Sequence, residues 1–149
     1  MNVLANDGVS KNCVLKLEEN GFRVIQDKVE QEELADYINA ESIEVLLVRS
    51  ATKVRKELID NCPNLKFVGR GGVGMDNIDV EYAKSKGVHI TNTPAASSIS
   101  VAEIVFAHLF SAARSLFKSN RSMPLEGDSK FKQLKKEYSK GIELRGKTI

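Results

Sequence analysis

Guanidinium groups, hydroxyls and bare backbone amides are what proteins use to hold a small anion, and this sequence gathers all three. Arg49-Ser50-Ala51-Thr52 offers one guanidinium for a bidentate contact and two hydroxyls. Gly69-Arg70-Gly71-Gly72-Val73-Gly74 offers a glycine-rich turn whose amides can form an anion-binding nest. Asn6-Asp7-Gly8 and Thr91-Asn92-Thr93-Pro94 add further polar groups. Two plainer readings stand beside this one. Arg49 can pair with a surface carboxylate, and the glycines can serve only a tight turn.

The run Gly69 to Gly74 formally fits GxGxxG, but its context argues against a dinucleotide loop. Such a loop opens directly into a helix, so that pyrophosphate meets the helix N-terminus. Here the next helical pattern waits until about Asp79. An acidic residue is also needed near the end of the following strand, and Thr91 and Asn92 stand there. His89 and His108 lack acidic or nucleophilic neighbours at useful spacing, so both read as packing or interface histidines. Cys13 and Cys62 form no CxxC pair and no metal-ligand spacing with the histidines; two free, buried thiols in a reducing compartment are expected, and no metal site.

The elements that must position these groups alternate in type. Short apolar runs at Val3–Ala5, Phe22–Ile25, Val45–Val48, Leu65–Val68 and Val88–Ile90 read as five strands. Helical patterns lie between them: Val9 to Leu17 ended by Gly21, a second around Leu34, Tyr37 and Ile38, a third marked by Val54, Leu58 and Ile59, and a fourth over Val80–Lys86 capped by Asp79. This alternation implies an α/β domain, a doubly wound parallel sheet with the flavodoxin-like order 2-1-3-4-5. In such sheets ligands sit beyond the carboxyl ends of the strands, where the groups above fall.

The pattern changes at Pro94. Ser100 and Glu103 read as a capping box opening a long helix over 99–118, apolar around nearly its whole circumference. Such a helix must be covered by a second domain or a partner subunit. Residues 119–147 are lysine-rich with interleaved glutamates, as on a solvated helical face, and Lys147-Thr148-Ile149 reads as the start of a strand.

Composition narrows the classes. The net charge of +2 over 149 residues gives no electrostatic case for nucleic acid. No apolar run reaches the length of a membrane span, and the first residues do not read as a signal peptide, so a cytoplasmic location and no membrane partner are expected. A phospho-receiver module on the same topology needs an acidic pair after the first strand and an aspartate after the third; Asp7 is a lone acid and Arg49 takes the second place. A non-catalytic anion-binding or dimerisation module stays open.

Leu65-Lys66-Phe67-Val68-Gly69-Arg70-Gly71-Gly72-Val73-Gly74-Met75-Asp76-Asn77-Ile78-Asp79 resembles the signature turn of the D-2-hydroxyacid dehydrogenases. Arg49-Ser50-Ala51-Thr52-Lys53-Val54, Asn92-Thr93-Pro94, Ser100-Val101-Ala102-Glu103 and Glu143-Leu144-Arg145-Gly146-Lys147-Thr148-Ile149 resemble the same family in the same order. The resemblance implies a flavodoxin-like substrate domain over 1–96, followed over 97–149 by the start of an NAD-binding Rossmann domain, cut short, whose nucleotide loop follows Ile149. It implies that Gly72, Val73 and Gly74 offer amides to a substrate carboxylate, and that Arg49 and Ser50 contact the other end of a small anionic substrate, 3-phosphoglycerate or similar. It further implies cofactor contacts at Val73 and Ser97, no catalytic acid–base residue in this stretch, and a homodimer through 99–118. Relatives often carry Asn-Gly-Asn after Thr-Pro, where this chain has Ala95-Ala96-Ser97-Ser98.

Overall fold

A computed structural model describes residues 1–148. By compactness the chain divides into two units, Met1–Ser97 and Ser98–Ile149.

The first unit is built on β1 (Asn2–Ala5), β2 (Arg23–Ile25), β3 (Ile43–Val48), β4 (Phe67–Arg70) and β5 (His89–Asn92). All neighbouring pairs are parallel, and the order is β2-β1-β3-β4-β5, the flavodoxin-like arrangement. Parallel strands need crossovers, and α1 (Lys11–Glu19), α2 (Leu34–Ala40), α3 (Lys56–Asn61) and α4 (Val80–Ser85) supply them. β3 is covered on both faces, which is why Ile43 to Val48 reads as a near-continuous apolar run. Leu4, Ile43, Leu46 and Val68 from the sheet and Leu34 and Ile38 from α2 have no solvent exposure. Burying a side chain of this size contributes about 1.5–3 kcal/mol, so this layer is the main source of stability.

Local chemistry fixes the element ends. Ser10 caps α1 by accepting from the Cys13 amide at 3.2 Å. Gly21 follows the C-cap of that helix at φ +81°, a left-handed position that favours glycine.

Several boundaries differ from the sequence reading. β4 and β5 run further than expected, so Gly69 and Arg70 belong to the strand and the turn proper is Gly71–Gly74. Val54 lies outside α3; it makes a parallel bridge with Ile78 that ties two loops together. Asp79 stands at the head of α4 but makes no capping bond there. Its carboxylate instead accepts from the Lys56 amide at 3.0 Å and pairs with Arg55 at 3.0 Å, and so caps α3 from across the fold. Cys62 is buried, whereas Cys13 is only half-buried.

The second unit holds α5 (Ser98–Ala113) and α6 (Leu116–Tyr138), bent by 54°. The single helix expected over 99–118 breaks at Arg114 and Ser115, where Ser115 takes the left-handed region at φ +53°. The helix already begins at Ser98, so Ser100 and Glu103 lie within it and form no capping box. α6 carries Pro124 and a non-helical Lys130. After it the chain returns to the break, where the Ile142 amide donates to the Ala113 carbonyl at 3.0 Å. Gly141 passes so close that a Cβ there would lie 2.9 Å from that oxygen. Lys147 and Thr148 are not in a strand, and Ile149 lies outside the described residues. Ile99, Val101, Ile104 and Phe110 of α5 are exposed. Among the described residues no single helix is long and apolar enough to cross a membrane.

Candidate anion-binding site

The carboxyl ends of β1, β3, β4 and β5 open into one cavity of about 660 Å³. Leu47, Phe67 and Gly69 form an apolar floor, and Arg49, Arg70, Gly71, Thr91 and Thr93 bring polar groups to its walls. Ser10 and Cys13 close it from the side of α1. An apolar cleft with a few converging polar groups is the usual form of a small-molecule site.

Arg49 extends from the end of β3 and is exposed. Its guanidinium makes no hydrogen bond or ion pair among the described residues, so the plain surface-pair reading is not what the structure shows. Ser50 is also exposed but faces a neighbouring cleft, lined by Asn6, Asp7, Gln26 and Lys28 together with Arg49. Arg49 thus stands at the junction of the two.

Arg70 is the residue that motif reasoning passed over. As the last residue of β4 it lines the main cavity, and its guanidinium folds back over the glycine turn. A Cβ on Gly72 would fall 2.0 Å from Arg70 Nη1, so glycine at 72 makes the seat for this side chain. Arg70 Nε is buried and has no hydrogen-bond partner among the described residues. A buried donor left without a partner costs about 1–3 kcal/mol, which a bound anion would recover. The sequence signal was present: an arginine between two glycines at a strand end.

The turn itself is only partly available to a ligand. The Gly71 amide donates to the Val48 carbonyl at 2.8 Å, and the Gly72 amide donates to the Arg70 carbonyl at 3.0 Å. The amides of Val73 and Gly74 have no partner among the described residues. The turn is anchored from β5, where the Thr93 amide donates to the Gly72 carbonyl at 3.1 Å and Asn92 Nδ2 donates to the Val73 carbonyl at 2.6 Å. Of the three residues assigned to a carboxylate, Val73 and Gly74 therefore keep free donors, while Gly72 gives its space to Arg70. Neither Val73 nor Gly74 lines the main cavity, and both are exposed.

The Arg49–Thr52 loop is held by a polar network buried beneath it. The Asp7 carboxylate accepts from the Arg49 amide at 2.7 Å, the Thr52 amide at 3.0 Å, the Thr52 hydroxyl at 2.8 Å and Lys28 Nζ at 3.0 Å. Burial alone would raise the Asp7 pKa, but these bonds outweigh it and bring it down to about 2. Asn77 Nδ2 donates to the Arg49 and Thr52 carbonyls at 2.8 and 2.7 Å. Asn6 links the Thr52 hydroxyl to the backbone of Val29. Of the groups the sequence offers to an anion, Asn6, Asp7 and the Thr52 hydroxyl instead bond to one another and to the loop backbone, and Asn77 joins them only through the topology.

The turn after β4 does not fit the pyrophosphate of a dinucleotide. Gly69 and Arg70 are strand, and the turn after them leads to the Val54–Ile78 bridge, not to a helix. Ser97 is exposed, beyond β5. Among the described residues no cluster of His, Cys, Asp and Glu is arranged to hold a metal ion. His89 and His108 are exposed, with no carboxylate partner among the described residues.

Residues 3–137 match the model of the D-isomer specific 2-hydroxyacid dehydrogenase catalytic domain. The chain is 40% identical over 147 residues to a D-3-phosphoglycerate dehydrogenase of Methanocaldococcus jannaschii, covering 99% of this chain and 26% of that protein. It is 38% identical over 148 residues to a hydroxypyruvate reductase of Thermotoga maritima, covering 99% of this chain and 46% of that one. Among solved structures, the NAD⁺-bound 3-phosphoglycerate dehydrogenase of Entamoeba histolytica superposes with a TM-score of 0.64 at 26% identity, over 78% of this chain and 40% of that chain. The chain thus spans about a quarter to just under half the length of these curated relatives. With the whole-chain identity and the parallel five-stranded sheet in agreement, the chain belongs to the D-isomer specific 2-hydroxyacid dehydrogenase family.

Proposed function

We propose that this chain is the substrate-holding portion of an NAD-dependent D-3-phosphoglycerate dehydrogenase, an enzyme that oxidises the C2 hydroxyl of 3-phosphoglycerate to give 3-phosphohydroxypyruvate. The observation that carries this reading is the pair of guanidiniums, Arg49 and Arg70, on one cavity with no carboxylate partner among the described residues. Two unpaired cations suit a substrate with two anionic ends. The free amides of Val73 and Gly74, with Arg70 beside them, take the carboxylate. Arg49 and Ser50 take the phosphate. The apolar floor of Leu47 and Phe67 keeps the carbon chain between them away from water.

The chemistry of hydride acceptance is assigned to the part of the longer relatives that this chain does not span. Val73 and Ser97 are its proposed points of contact with the cofactor. The exposed apolar face of α5 is assigned to a homodimer through residues 99–118.

A second reading rests on the hydroxypyruvate reductase of Thermotoga maritima, whose name points to an unphosphorylated substrate. Titration calorimetry with 3-phosphoglycerate and with glycerate separates the two. If Arg49 and Ser50 hold a phosphate, 3-phosphoglycerate binds at least about tenfold more tightly, because charge-assisted bonds contribute roughly 1.5–3 kcal/mol. Equal affinity would favour the second reading. The 149-residue chain mixed with NAD and 3-phosphoglycerate is expected to show no rise in absorbance at 340 nm; a measurable rise would overturn the assignment of catalysis elsewhere.

A further inference from the structure

The four residues Arg49–Thr52 form no turn of their own, yet their backbone is tied down at both ends. The amides of Arg49 and Thr52 both donate to Asp7, at the end of β1. The carbonyls of the same two residues both accept from Asn77, in the loop after β4. The loop is therefore gripped from two sides by side chains that belong to two other connections of the sheet. Both gripping groups are shielded: the Asp7 side chain is 5% exposed and Asn77 is 6% exposed.

The carboxylate of Asp7 also sits at the base of Arg49 without pairing with its guanidinium. Its two oxygens are occupied by two amides, one hydroxyl and the ammonium of Lys28. An acid placed this near an arginine would ordinarily neutralise it. Here the donors of the loop and Lys28 use up the acceptor capacity, and Arg49 is left unpaired beside the cavity.

We propose that Asp7 and Asn77 are positioning residues: together they clamp the Arg49–Thr52 loop so that the Arg49 guanidinium is presented, uncompensated, to the anion. This rests on the reading of Arg49 as an anion contact. The clamp acts through geometry, since a guanidinium displaced by about an ångström loses the alignment of its paired bonds. Asn77 lines neither cleft, and Asp7, which borders both, has its carboxylate oxygens taken up by the loop and Lys28.

A double-mutant cycle tests it, with 3-phosphoglycerate as the calorimetric probe. Asp7→Asn keeps the shape of the side chain but places an NH₂ group where an acceptor stood. It is expected to weaken binding about tenfold in the wild-type background, and to cause no further loss in an Arg49→Ala background, because the loop then has no guanidinium to aim. Equal fold losses in both backgrounds would show a general structural effect and overturn the clamp, as would unchanged affinity in Asp7→Asn. Absence of binding by the wild-type chain would instead overturn the anion reading on which the clamp depends. If Asp7→Asn fails to fold, Asn77→Ser, which releases the loop from its other side, must show the same background dependence. Amide hydrogen exchange gives an independent readout: the Arg49 and Thr52 amides are expected to exchange faster in Asp7→Asn at neutral pH, and unchanged protection would refute the clamp.

Discussion

Replacing Arg70 by methionine is expected to abolish most of the affinity for 3-phosphoglycerate while leaving the fold as stable as before, or more so. The side chain of Arg70 is partly buried, and its Nε donor has no partner among the described residues. Such a donor costs roughly 1–3 kcal/mol in the unliganded protein. Methionine fills similar volume over Gly72 and removes that cost. The same substitution deletes a charge-assisted contact to the anion, a loss of roughly 10- to 100-fold in affinity. Arg49→Ala should lose affinity to a similar degree, but with stability unchanged to within about 0.5 kcal/mol, because its side chain is exposed and pairs with nothing in the described structure. Gly72→Ala should lose affinity for the same reason, since its Cβ would displace the guanidinium from its seat, but unlike Arg70→Met it should also lower stability, because side chains rarely adopt φ +158°. Calorimetric titration beside urea unfolding measures both quantities. A destabilised Arg70→Met that still binds would mean that Arg70 serves packing and not the ligand.

The contrast between Arg49 and Arg70 shows what the sequence could and could not reveal. Arg49 was legible because it follows an apolar run and precedes two hydroxyls, so a strand end and an anion motif could be read together. Arg70 was masked by its neighbours: four glycines drew attention to backbone amides, and the strand was expected to stop at Val68. Once β4 runs on to Arg70, the Gly72 amide is drawn back to the Arg70 carbonyl and the side chain lies over the turn. Strand order was legible for a different reason. Right-handed crossovers leave few arrangements for five alternating units, and the apolar run of β3 marks it as central. Helix ends were less so. Asp79 had the right type and place to cap α4, but its carboxylate is taken by α3, and no local rule anticipates a partner contributed by another loop. The break at Ser115 is equally silent, because the apolar periodicity runs through it.

Asp7 ties the site to stability in a way that pH can expose. Its folded pKa of about 2 lies below the ordinary aspartate value of 3.8. A depressed folded pKa means that the unfolded chain takes up the proton more readily. The stabilisation is therefore complete above about pH 4 and is lost as pH falls through about 2. The shift corresponds to roughly 2 kcal/mol, of order a quarter of a small domain's stability. The Asp7 side chain is 5% exposed, so solvent screens little of this. The stability difference between wild type and Asp7→Asn should thus narrow by about 2 kcal/mol between pH 7 and pH 2. Glu44, Asp60 and Asp79 also have lowered pKa values, from hydrogen bonds to Lys66, Lys86 and Arg55 respectively. They are common to both proteins, and their titration cancels in the comparison. Urea midpoints at pH 7, 4, 3 and 2 measure the convergence. Parallel curves across that range would show that Asp7 carries no charge-dependent share of the fold, and the amides of Arg49 and Thr52 would then owe their placement to Asn77 and the Val54–Ile78 bridge alone.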